Sequence, residues 1–489
     1  MNNNQSADGA RGGFRMGYGN GEAYDPVALR WQGDPLPDWL RTRYLKNGPG
    51  LFSLGNDRLK HWFDGLALLK SFTIDQGNLT FESRFLDSPD YRISTEKQSF
   101  RFTEFATAPR RSVFERMKCT VDPNAQFGQN ASINLQAVNG GMIAIGDLPG
   151  GLSIDPDNLA TPGRFRNDDP FVITSTPHPQ RDDARSAWVN CGIGVSMKGF
   201  GYHVFLMPDG SHKPRPLAFI PRSGPAYMHS VGMSGRYVVL TEHPMFASLA
   251  RFFTLGMRDK PILDAFNYDG SKPTTFFVVD KEARKLVARV EAPPCFYFHA
   301  ANVFDAGDEV VVDLCAYPDA GVIDTLYLDF IQGPKGGETI PATLMRHRIN
   351  VPRQTVKSEP LTDYSIEFPV TNPWQNNLPY RYTYAVSVKP DLRDDHTNLL
   401  VKLDTRTGEA KEWFEPGCYP NEPFMIPRPG AEADDDGVVL CVVLDATRAT
   451  SMIIALDAAS FTEIGRARLP GIIPFGLHGQ LMPFESPNP

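Results

Sequence analysis

Cysteine is scarce in this chain, and the few cysteines lie far apart. The 489 residues include six cysteines, none in a CxxC pair, so a disulfide framework is not expected. No run of about 18 apolar residues occurs that would cross a membrane as a helix. Residues 1–25 are polar and rich in glycine and asparagine, without the apolar core of a secretion signal. We expect a cytoplasmic protein whose residues 1–25 form a flexible segment.

An excess of basic residues is also missing. The chain has 49 Lys and Arg against 57 Asp and Glu, a formal net charge of −8, and no basic stripe stands out. We therefore expect no nucleic-acid partner. The sequence contains no GxSxG nucleophile motif, no P-loop and no convincing dinucleotide-binding glycine motif. The reaction classes that depend on these motifs have no support.

Short strand-like runs are what the chain does contain. Segments such as RYVVLTEH, TTFFVVD, GVVLCVVLD and SMIIALD are rich in Val, Ile, Phe and Thr, and 42 prolines and 42 glycines are scattered between them. This pattern predicts an all-β protein of many short strands. The best helical pattern covers Glu242–Met257.

A repeat connects these strands. In three segments a strand ends at an aspartate, a turn and a second strand follow, and prolines precede a polar residue. The pairs of aspartate and polar residue are Asp280 and His299, Asp404 and Glu422, and Asp457 and His478, which are 19, 18 and 21 positions apart (280→299, 404→422, 457→478). Two weaker copies end at His178 and His229. Recurrence near 50 residues with about four strands per unit is typical of a β-propeller.

In a propeller, residues at the same position of successive blades converge on the central axis. His178, His229, His299 and His478 share that position. The spacing predicts that they form a ring, with room for two further blades between the last two. Ordinary core histidines remain the alternative explanation. The other six histidines do not share the position, and we expect them to be structural or surface groups.

Four imidazoles supply neutral nitrogen ligands. Such a set suits iron or copper, and zinc would accept it, although structural zinc sites are usually rich in cysteine. A histidine that binds a metal normally donates its second ring N–H to a carboxylate or carbonyl. Glu422 and Glu367 stand in apolar segments at a comparable position. We therefore expect them to be hydrogen-bond partners of the ring.

The segments around these residues resemble the carotenoid cleavage oxygenase family. The similarity runs from about residue 26 to the C-terminus and is carried by HWFDGLALLKSF, STPHPQ, YMHSVGMSGRYVVLTEHP, FYFHAANVFDAGDEVVVDLCAYPD, EFPVTNP, NEPFMIPRPG and PFGLHGQL. HSVGM, VVVDLCAY and HWFDGLALL look closest to the β-carotene oxygenase and retinoid isomerase branch. The resemblance implies one catalytic domain over residues 26–489, a seven-bladed β-propeller with a dome of helices and loops.

The resemblance also implies Fe(II) held by four histidines, matched here by His178, His229, His299 and His478. It implies three glutamates that contact these ligands. Glu367 and Glu422 match two of them, and Asp147 stands at the third. Because aspartate is one methylene shorter, Asp147 would reach its histidine through water or not at all.

The implied reaction is scission of a conjugated C=C bond of a carotenoid or apocarotenoid by O2, which gives two carbonyl products. A stilbene-cleaving (lignostilbene-type) dioxygenase is the alternative, and a non-cleaving isomerohydrolase of the same fold and a metal-free binding module also stay open. Stilbene-cleaving members hold a phenol with a lysine that directly precedes the first of the three glutamates. Gly146 occupies that place here, which favours an apolar polyene substrate such as a precursor of retinal.

A possible membrane contact lies within the helical pattern. Met245–Met257 contains Phe246, Leu249, Phe252 and Phe253 and has a single charge, at Arg251. The family often carries an apolar patch in this region, so these residues are expected to form an interfacial segment peripheral to the membrane. A buried core helix is the alternative.

Overall fold

The fold is a seven-bladed β-propeller. The computed structural model describes residues 12–122, 126–138, 141–165 and 171–483. Within these ranges, seven antiparallel sheets of four or more strands follow one another along the chain. This confirms the all-β prediction and the number of blades. We number the blades 1 to 7 in chain order.

Blades 2 to 4 each form a simple four-stranded meander. From the innermost strand outward, blade 2 contains Asn134–Val138, Gly141–Ile145, Gly151–Ile154 and Gly163–Phe165; blade 3 contains Gln180–Asp182, Ala187–Ser196, Gly199–Pro208 and Arg215–Pro221; and blade 4 contains Gly232–Met233, Tyr237–Glu242, Thr274–Asp280 and Lys285–Ala292.

Blades 5 and 6 repeat the meander, and blades 7 and 1 modify it. From the innermost strand outward, blade 5 contains Phe296–Ala306, Glu309–Tyr317, Thr343–Asn350 and Thr355–Ser365; blade 6 contains Glu367–Thr371, Tyr382–Ser387, Leu399–Asp404 and Ala410–Trp413; blade 7 contains Cys418–Pro420 with Phe424–Pro427, then Gly437–Asp445, Thr450–Asp457, Glu463–Arg468 and Trp31–Gly33; and blade 1 contains Gly479–Pro483, Thr42–Lys46, Leu66–Asp75 with Pro49–Leu51, Asn78–Phe85 and Tyr24–Leu29.

The two ends of the chain close the propeller together. Strand Gly479–Pro483 from the C-terminal end pairs with Thr42–Lys46 as the innermost strand of blade 1. Strand Trp31–Gly33 from the N-terminal end pairs with Glu463–Arg468 as the outermost strand of blade 7. Each terminal strand therefore completes a blade built mainly from the other end of the chain.

The repeating aspartates are turn residues between the third and fourth strands of a blade. Asp280 Oδ1 accepts the backbone N–H groups of Glu282 and Ala283. Asp457 Oδ1 accepts the N–H of Ser460 at 2.7 Å. An aspartate that bonds the backbone two or three residues on fixes a tight turn, so the repeat in the sequence is a repeat of hairpins.

The core lies between the faces of neighbouring blades rather than at one centre. The strands of blade 7, for example, contribute Val439 and Cys441 to a cluster with blade 6, and Leu440 and Val442 to a cluster with blade 1. Strand Gly437–Asp445 is buried along its whole length. Because both faces of such a strand are covered, its sequence reads as a continuous apolar run.

Helices occur in the connections between strands. They are α1 (Pro89–Lys97), α2 (Val113–Val121), α3 (Leu249–Arg258), α4 (Gly321–Thr325) and α5 (Leu328–Gln332), and short 3-10 turns cover Gly13–Tyr18, Trp62–Asp64, Asp183–Arg185, Ile262–Ala265 and Pro373–Gln375. Two small two-stranded sheets pair Met245–Ala247 with Phe266–Tyr268 and Ser53–Leu54 with Asp57–Arg58. Several of these segments line one cavity together with the innermost strands, as expected for the predicted dome.

The start of the predicted helix differs from the structure. The helical pattern over Glu242–Met257 is helical only from Leu249, because Ser248 caps the helix by accepting the N–H of Arg251 and the residues before it are extended. The flexible segment over residues 1–25 stays a prediction; in its described part, Gly13–Tyr18 form a 3-10 turn in which Phe14 and Tyr18 are buried. Residues 1–11 lie outside the described residues.

Candidate metal centre

The four predicted histidines meet on the propeller axis. His178, His229 and His478 each lie one to three residues before the innermost strand of blades 3, 4 and 1, and His299 lies within the innermost strand of blade 5. At these places the chain passes from one blade to the innermost strand of the next, close to the propeller axis. Four blades thus each present one imidazole to the same point.

The ring nitrogens are spaced as ligands of a single metal ion. The Nε2 atoms of His178 and His229 are 3.2 Å apart, and those of His299 and His478 are 3.1 Å apart. The four ligand atoms all lie within 4.8 Å of one another. For metal–nitrogen bonds of about 2.1 Å, two nitrogens at right angles lie about 3.0 Å apart. In the part of the chain that the structure describes, no other set of three or more His, Cys, Asp or Glu is grouped in this way.

Burial disfavours the charged form of three of the imidazoles. It lowers the pKa of His178 and of His229 well below the usual value, and the neighbouring histidines lower these pKa values further. Burial also lowers the pKa of His478, although Glu422 acts in the opposite direction. A neutral imidazole has a free lone pair at neutral pH, which metal binding requires.

Two glutamates hold two of the rings. Glu367 Oε2 lies 2.6 Å from Nδ1 of His299, and Glu422 Oε1 lies 2.7 Å from Nδ1 of His478. Glu367 begins the innermost strand of blade 6, and Glu422 lies between the two inner segments of blade 7. Each carboxylate therefore comes from the blade next to its histidine, and it turns Nε2 of that ring toward the axis.

Lys46 supports Glu422, and no local sequence signal indicated it. Its Nζ donates to Glu422 Oε2 at 3.1 Å and to the Glu422 carbonyl at 3.2 Å. Burial alone would raise the pKa of Glu422, but Lys46 and His478 outweigh it and lower the pKa. Lys46 belongs to strand Thr42–Lys46 of blade 1, far from Glu422 in sequence, so only blade closure brings the two together.

Asp147 stands where the resemblance implies the third glutamate. It lies in the turn between Gly141–Ile145 and Gly151–Ile154, where burial raises its pKa to about 7. Within the described residues, its carboxyl group makes no hydrogen bond to any of the four histidines. Nδ1 of His229 instead forms a hydrogen bond with the Tyr227 hydroxyl, at 2.9 Å. The segment YMHSVG contains this tyrosine, but its role does not follow from its spacing.

The ring opens into a cavity of about 210 Å³. Its wall is largely aromatic and aliphatic; it includes Trp62, Phe63, Phe105, Ile133, Leu148, Phe298, Ile340, Phe368 and Phe475. The wall also contains two acidic residues that do not hydrogen-bond the ring histidines, Glu104 and Asp147. Among the described residues, no lysine or arginine lines the cavity.

Sequence patterns did not indicate that Tyr18 and His396 also line this cavity. Tyr18 comes from the 3-10 turn near the start of the described chain, and its hydroxyl forms a hydrogen bond with Nε2 of His396 at 2.5 Å. His396 is thus a wall residue. Of the other histidines outside the ring, His61 accepts the N–H of Phe63 and caps the 3-10 turn Trp62–Asp64.

The predicted apolar patch lies on α3 and the strand before it. Phe253 is 56% exposed, whereas Phe246, Leu249 and Phe252 are half-buried. Helix α2 packs against α3 and exposes Phe114 by 85%; its neighbours Val113 and Met117 are also exposed. We call these two helices and their apolar side chains the α2–α3 patch. Within the described residues, no helix is both long and apolar enough to span a membrane.

The α2–α3 patch reaches the cavity wall through one aromatic pair. The rings of Phe252 and Phe127 stack with centroids 6.3 Å apart and an interplanar angle of 19°. Phe127 itself lines the cavity. The patch and the cavity are therefore neighbours.

Comparison with known proteins identifies the family. The profile of the family described as retinal pigment epithelial membrane protein matches residues 19–483. A carotenoid isomerooxygenase of Galleria mellonella is 30% identical over 477 residues, covering 92% of this chain and 92% of that protein. A beta,beta-carotene 15,15'-dioxygenase of Mus musculus is 28% identical over 522 residues, covering 96% and 91% of the two chains. A solved structure of a cobalt-substituted Synechocystis apocarotenoid oxygenase matches with a TM-score of 0.84 at 23% identity, over 96% of this chain and 98% of that chain. This chain belongs to the retinal pigment epithelial membrane protein family, the family of the carotenoid oxygenases.

Proposed function

We propose that the protein is a non-haem iron dioxygenase that cleaves a conjugated C=C bond of a carotenoid or apocarotenoid with O2. The two atoms of O2 enter the two carbonyl products. The observation that carries the proposal is the ring of four imidazoles at the end of an apolar cavity. A polyene has neither an acidic proton nor a leaving group, so acid–base catalysis would have nothing to act on.

The donor set fits a redox-active divalent metal. His178, His229, His299 and His478 would hold it through Nε2, and the site contains no thiolate of the kind that structural zinc sites favour. Imidazole ligands suit iron and copper as well as zinc. When bound, Fe(II) supplies a centre that can activate O2. The chain's own contribution is to keep the Nδ1 protons of His299 and His478 on the side of Glu367 and Glu422.

The cavity favours a neutral, apolar substrate over a phenolate. Among the described wall residues, no cation is available to bind a phenolate oxygen. Burial first, and then Asp90 and Asp64, raise the pKa of Glu104 well above its usual value. Burial raises the pKa of Asp147 to about 7. Burial thus disfavours the charged form of both acids. Gly146 stands where a phenol-binding lysine would be expected.

Membrane contact is the route by which such a substrate would arrive. Carotenoids partition into lipid, and the α2–α3 patch exposes aromatic and thioether side chains directly beside the cavity wall. An apolar helix face of this kind binds at the boundary of head groups and acyl chains without spanning the bilayer. We place the protein at the membrane surface through this patch.

The test is product analysis on the iron-loaded protein. We expect metal analysis to find iron, and chromatography to find two carbonyl products from β-carotene or a long apocarotenal under O2. Under ¹⁸O2 the label should enter both products. A competing hydroxystilbene such as resveratrol should turn over more slowly.

Three results would overturn parts of this proposal. Faster turnover of the stilbene would reject the substrate class but keep alkene cleavage. Isomerised products of unchanged carbon number would assign the protein as an isomerohydrolase. A protein that binds none of the candidate metals would be a binding module, and the whole proposal would fail.

A further inference from the structure

We propose that Tyr227 has replaced a carboxylate as the group that orients His229 for metal binding, and that Asp147 has no such role. The inference rests on the proposed metal ring. The Tyr227 hydroxyl and Nδ1 of His229 are 2.9 Å apart, and both residues are buried. Tyr227 would be a positioning residue, because it acts on the metal through the imidazole.

Two ring histidines take a carboxylate partner from a neighbouring blade, and His229 does not. Glu367 of blade 6 serves His299 of blade 5, and Glu422 of blade 7 serves His478 of blade 1. In both pairs the carboxylate comes from the neighbouring innermost strand. Blade 4, which carries His229, lies between blades 3 and 5, and those two blades place histidines at this level. Within the described residues, the innermost strands of these two blades place no carboxylate on Nδ1 of His229, whose partner is the Tyr227 hydroxyl.

The partner then comes from the same segment of chain. Tyr227 lies two residues before His229, in the approach to strand Gly232–Met233. In extended chain, side chains two residues apart point to the same side. A tyrosine at this spacing can therefore place its hydroxyl beside the imidazole of its own segment.

Asp147 lies close to this pair but does not join it. Asp147, Tyr227 and His229 all line the same cavity. Within the described residues, the Asp147 carboxyl makes no hydrogen bond to His229. An imidazole that binds metal through Nε2 keeps its proton on Nδ1 and donates it to the Tyr227 oxygen. The phenol stays neutral and keeps its own O–H.

A neutral oxygen is a weaker acceptor than a carboxylate. Hydrogen bonds to an ionised acceptor are roughly twice as strong as those between neutral groups. His229 is thus held in place but receives less electron density than His299 and His478. All four ligands are histidines, but the hydrogen-bond partners of their Nδ1 atoms differ.

The experiment is a titration of metal-free protein with Co²⁺, followed by the visible absorption of the bound ion. Tyr227→Phe removes only the hydroxyl, and we expect it to weaken Co²⁺ binding by about 10–100-fold, the usual effect of losing such a contact. The double variant Tyr227→Phe with Asp147→Glu should recover most of that affinity, because the added methylene lets a carboxylate reach Nδ1. Asp147→Asn alone should keep the wild-type affinity.

Tyr297→Phe is the matched control. Its hydroxyl is also buried and lies two residues before a ring histidine, but it donates to the carbonyls of Ser230 and Thr241, at 3.2 and 3.3 Å. We expect it to lower thermal stability without changing the Co²⁺ affinity or spectrum. Equal affinities for Tyr227→Phe and the wild type would overturn the inference. So would equal losses in the two tyrosine variants, or a tenfold loss in Asp147→Asn. Failure of the wild type to bind Co²⁺ or Fe²⁺ would instead refute the proposed function.

Discussion

The buried ion pair between Lys46 and Glu422 leads to a stability prediction of definite size. Their side chains are 2% and 8% exposed, and Nζ lies 3.1 Å from Oε2. Lys46→Met keeps most of the side-chain volume but leaves Glu422 without its cation. Breaking a buried pair by removing one partner typically costs about 3–5 kcal/mol. At an unfolding entropy of about 2.1 cal/mol/K per residue, the 489 residues correspond to about 1 kcal/mol/K. The expected fall in melting temperature is therefore about 3–5 °C.

The assay is thermal unfolding of the metal-free protein, so that metal binding adds nothing to the folded state. Arg41→Met is the matched control, because Arg41 and Asp75 form a 2.7 Å ion pair whose side chains are 37% and 36% exposed. A surface pair contributes about 0–1 kcal/mol, so this variant should melt within about 1 °C of the wild type. If Lys46→Met and Arg41→Met melted at the same temperature, the assigned role of the buried pair would be wrong.

Two further predictions concern the ring and the membrane. His299→Ala removes one ligand nitrogen, so we expect metal analysis to show loss of bound iron, together with loss of turnover. The control His347→Ala, which changes a buried histidine outside the ring, should retain its iron. A His299→Ala enzyme with full iron and activity would refute the ring. Asp substitutions at Phe252 and Phe253 should reduce sedimentation with liposomes while circular dichroism stays unchanged. Leu378→Asp, at an apolar residue that is 50% exposed elsewhere on the surface, should bind liposomes like the wild type, and unchanged binding by the Phe252 and Phe253 variant would reject the patch.

The sequence predicts the propeller because its repeat has a local cause. Asp280, Asp404 and Asp457 each bond backbone N–H groups of their own turn, so the hairpins are visible in a single chain segment. Once the hairpins are placed, the polar residue that follows must lie in or next to the innermost strand of the next blade. The positions of His299 and His478 then follow from the strand order alone.

Features that depend on contact between distant segments were not predictable in this way. The pairing of Thr42–Lys46 with Gly479–Pro483 joins opposite ends of the chain, and Lys46 meets Glu422 only as a result. The N-terminal segment looked flexible because it is rich in glycine, yet Phe14 and Tyr18 are buried against other parts of the molecule. In both cases tertiary packing overrides local composition.

The helix predicted over Glu242–Met257 begins later in the structure, for a different reason. Glu242 ends a buried strand, and Met245–Ala247 form a separate short strand in which Phe246 pairs with Asn267. The helical stripe begins only after the cap at Ser248. A short apolar run fits either structure, and a capping residue inside the run is the local signal that separates them.

The two glutamates that hydrogen-bond the ring histidines are held by different contacts, and each of these contacts has a structural cost. Glu422 depends on the buried cation of Lys46. Glu367 has no lysine in reach among the residues described; its Oε2 accepts a second hydrogen bond from the N–H of Phe368, at 2.8 Å. Phe368 has φ 49°, in the left-handed region, at a bulge in the strand pairing of blade 6.

That backbone conformation is unfavourable for a phenylalanine by about 1–3 kcal/mol, and the surroundings must impose it. It turns the amide toward the Glu367 carboxylate and lays the aromatic ring against His299 and His478, with centroids 5.1 and 5.4 Å apart. One strained residue thus stabilises a carboxylate and covers two imidazoles at once. A regular strand at this point would lose both contacts, which is the physical reason why the bulge lies beside the ring and not elsewhere in the blade.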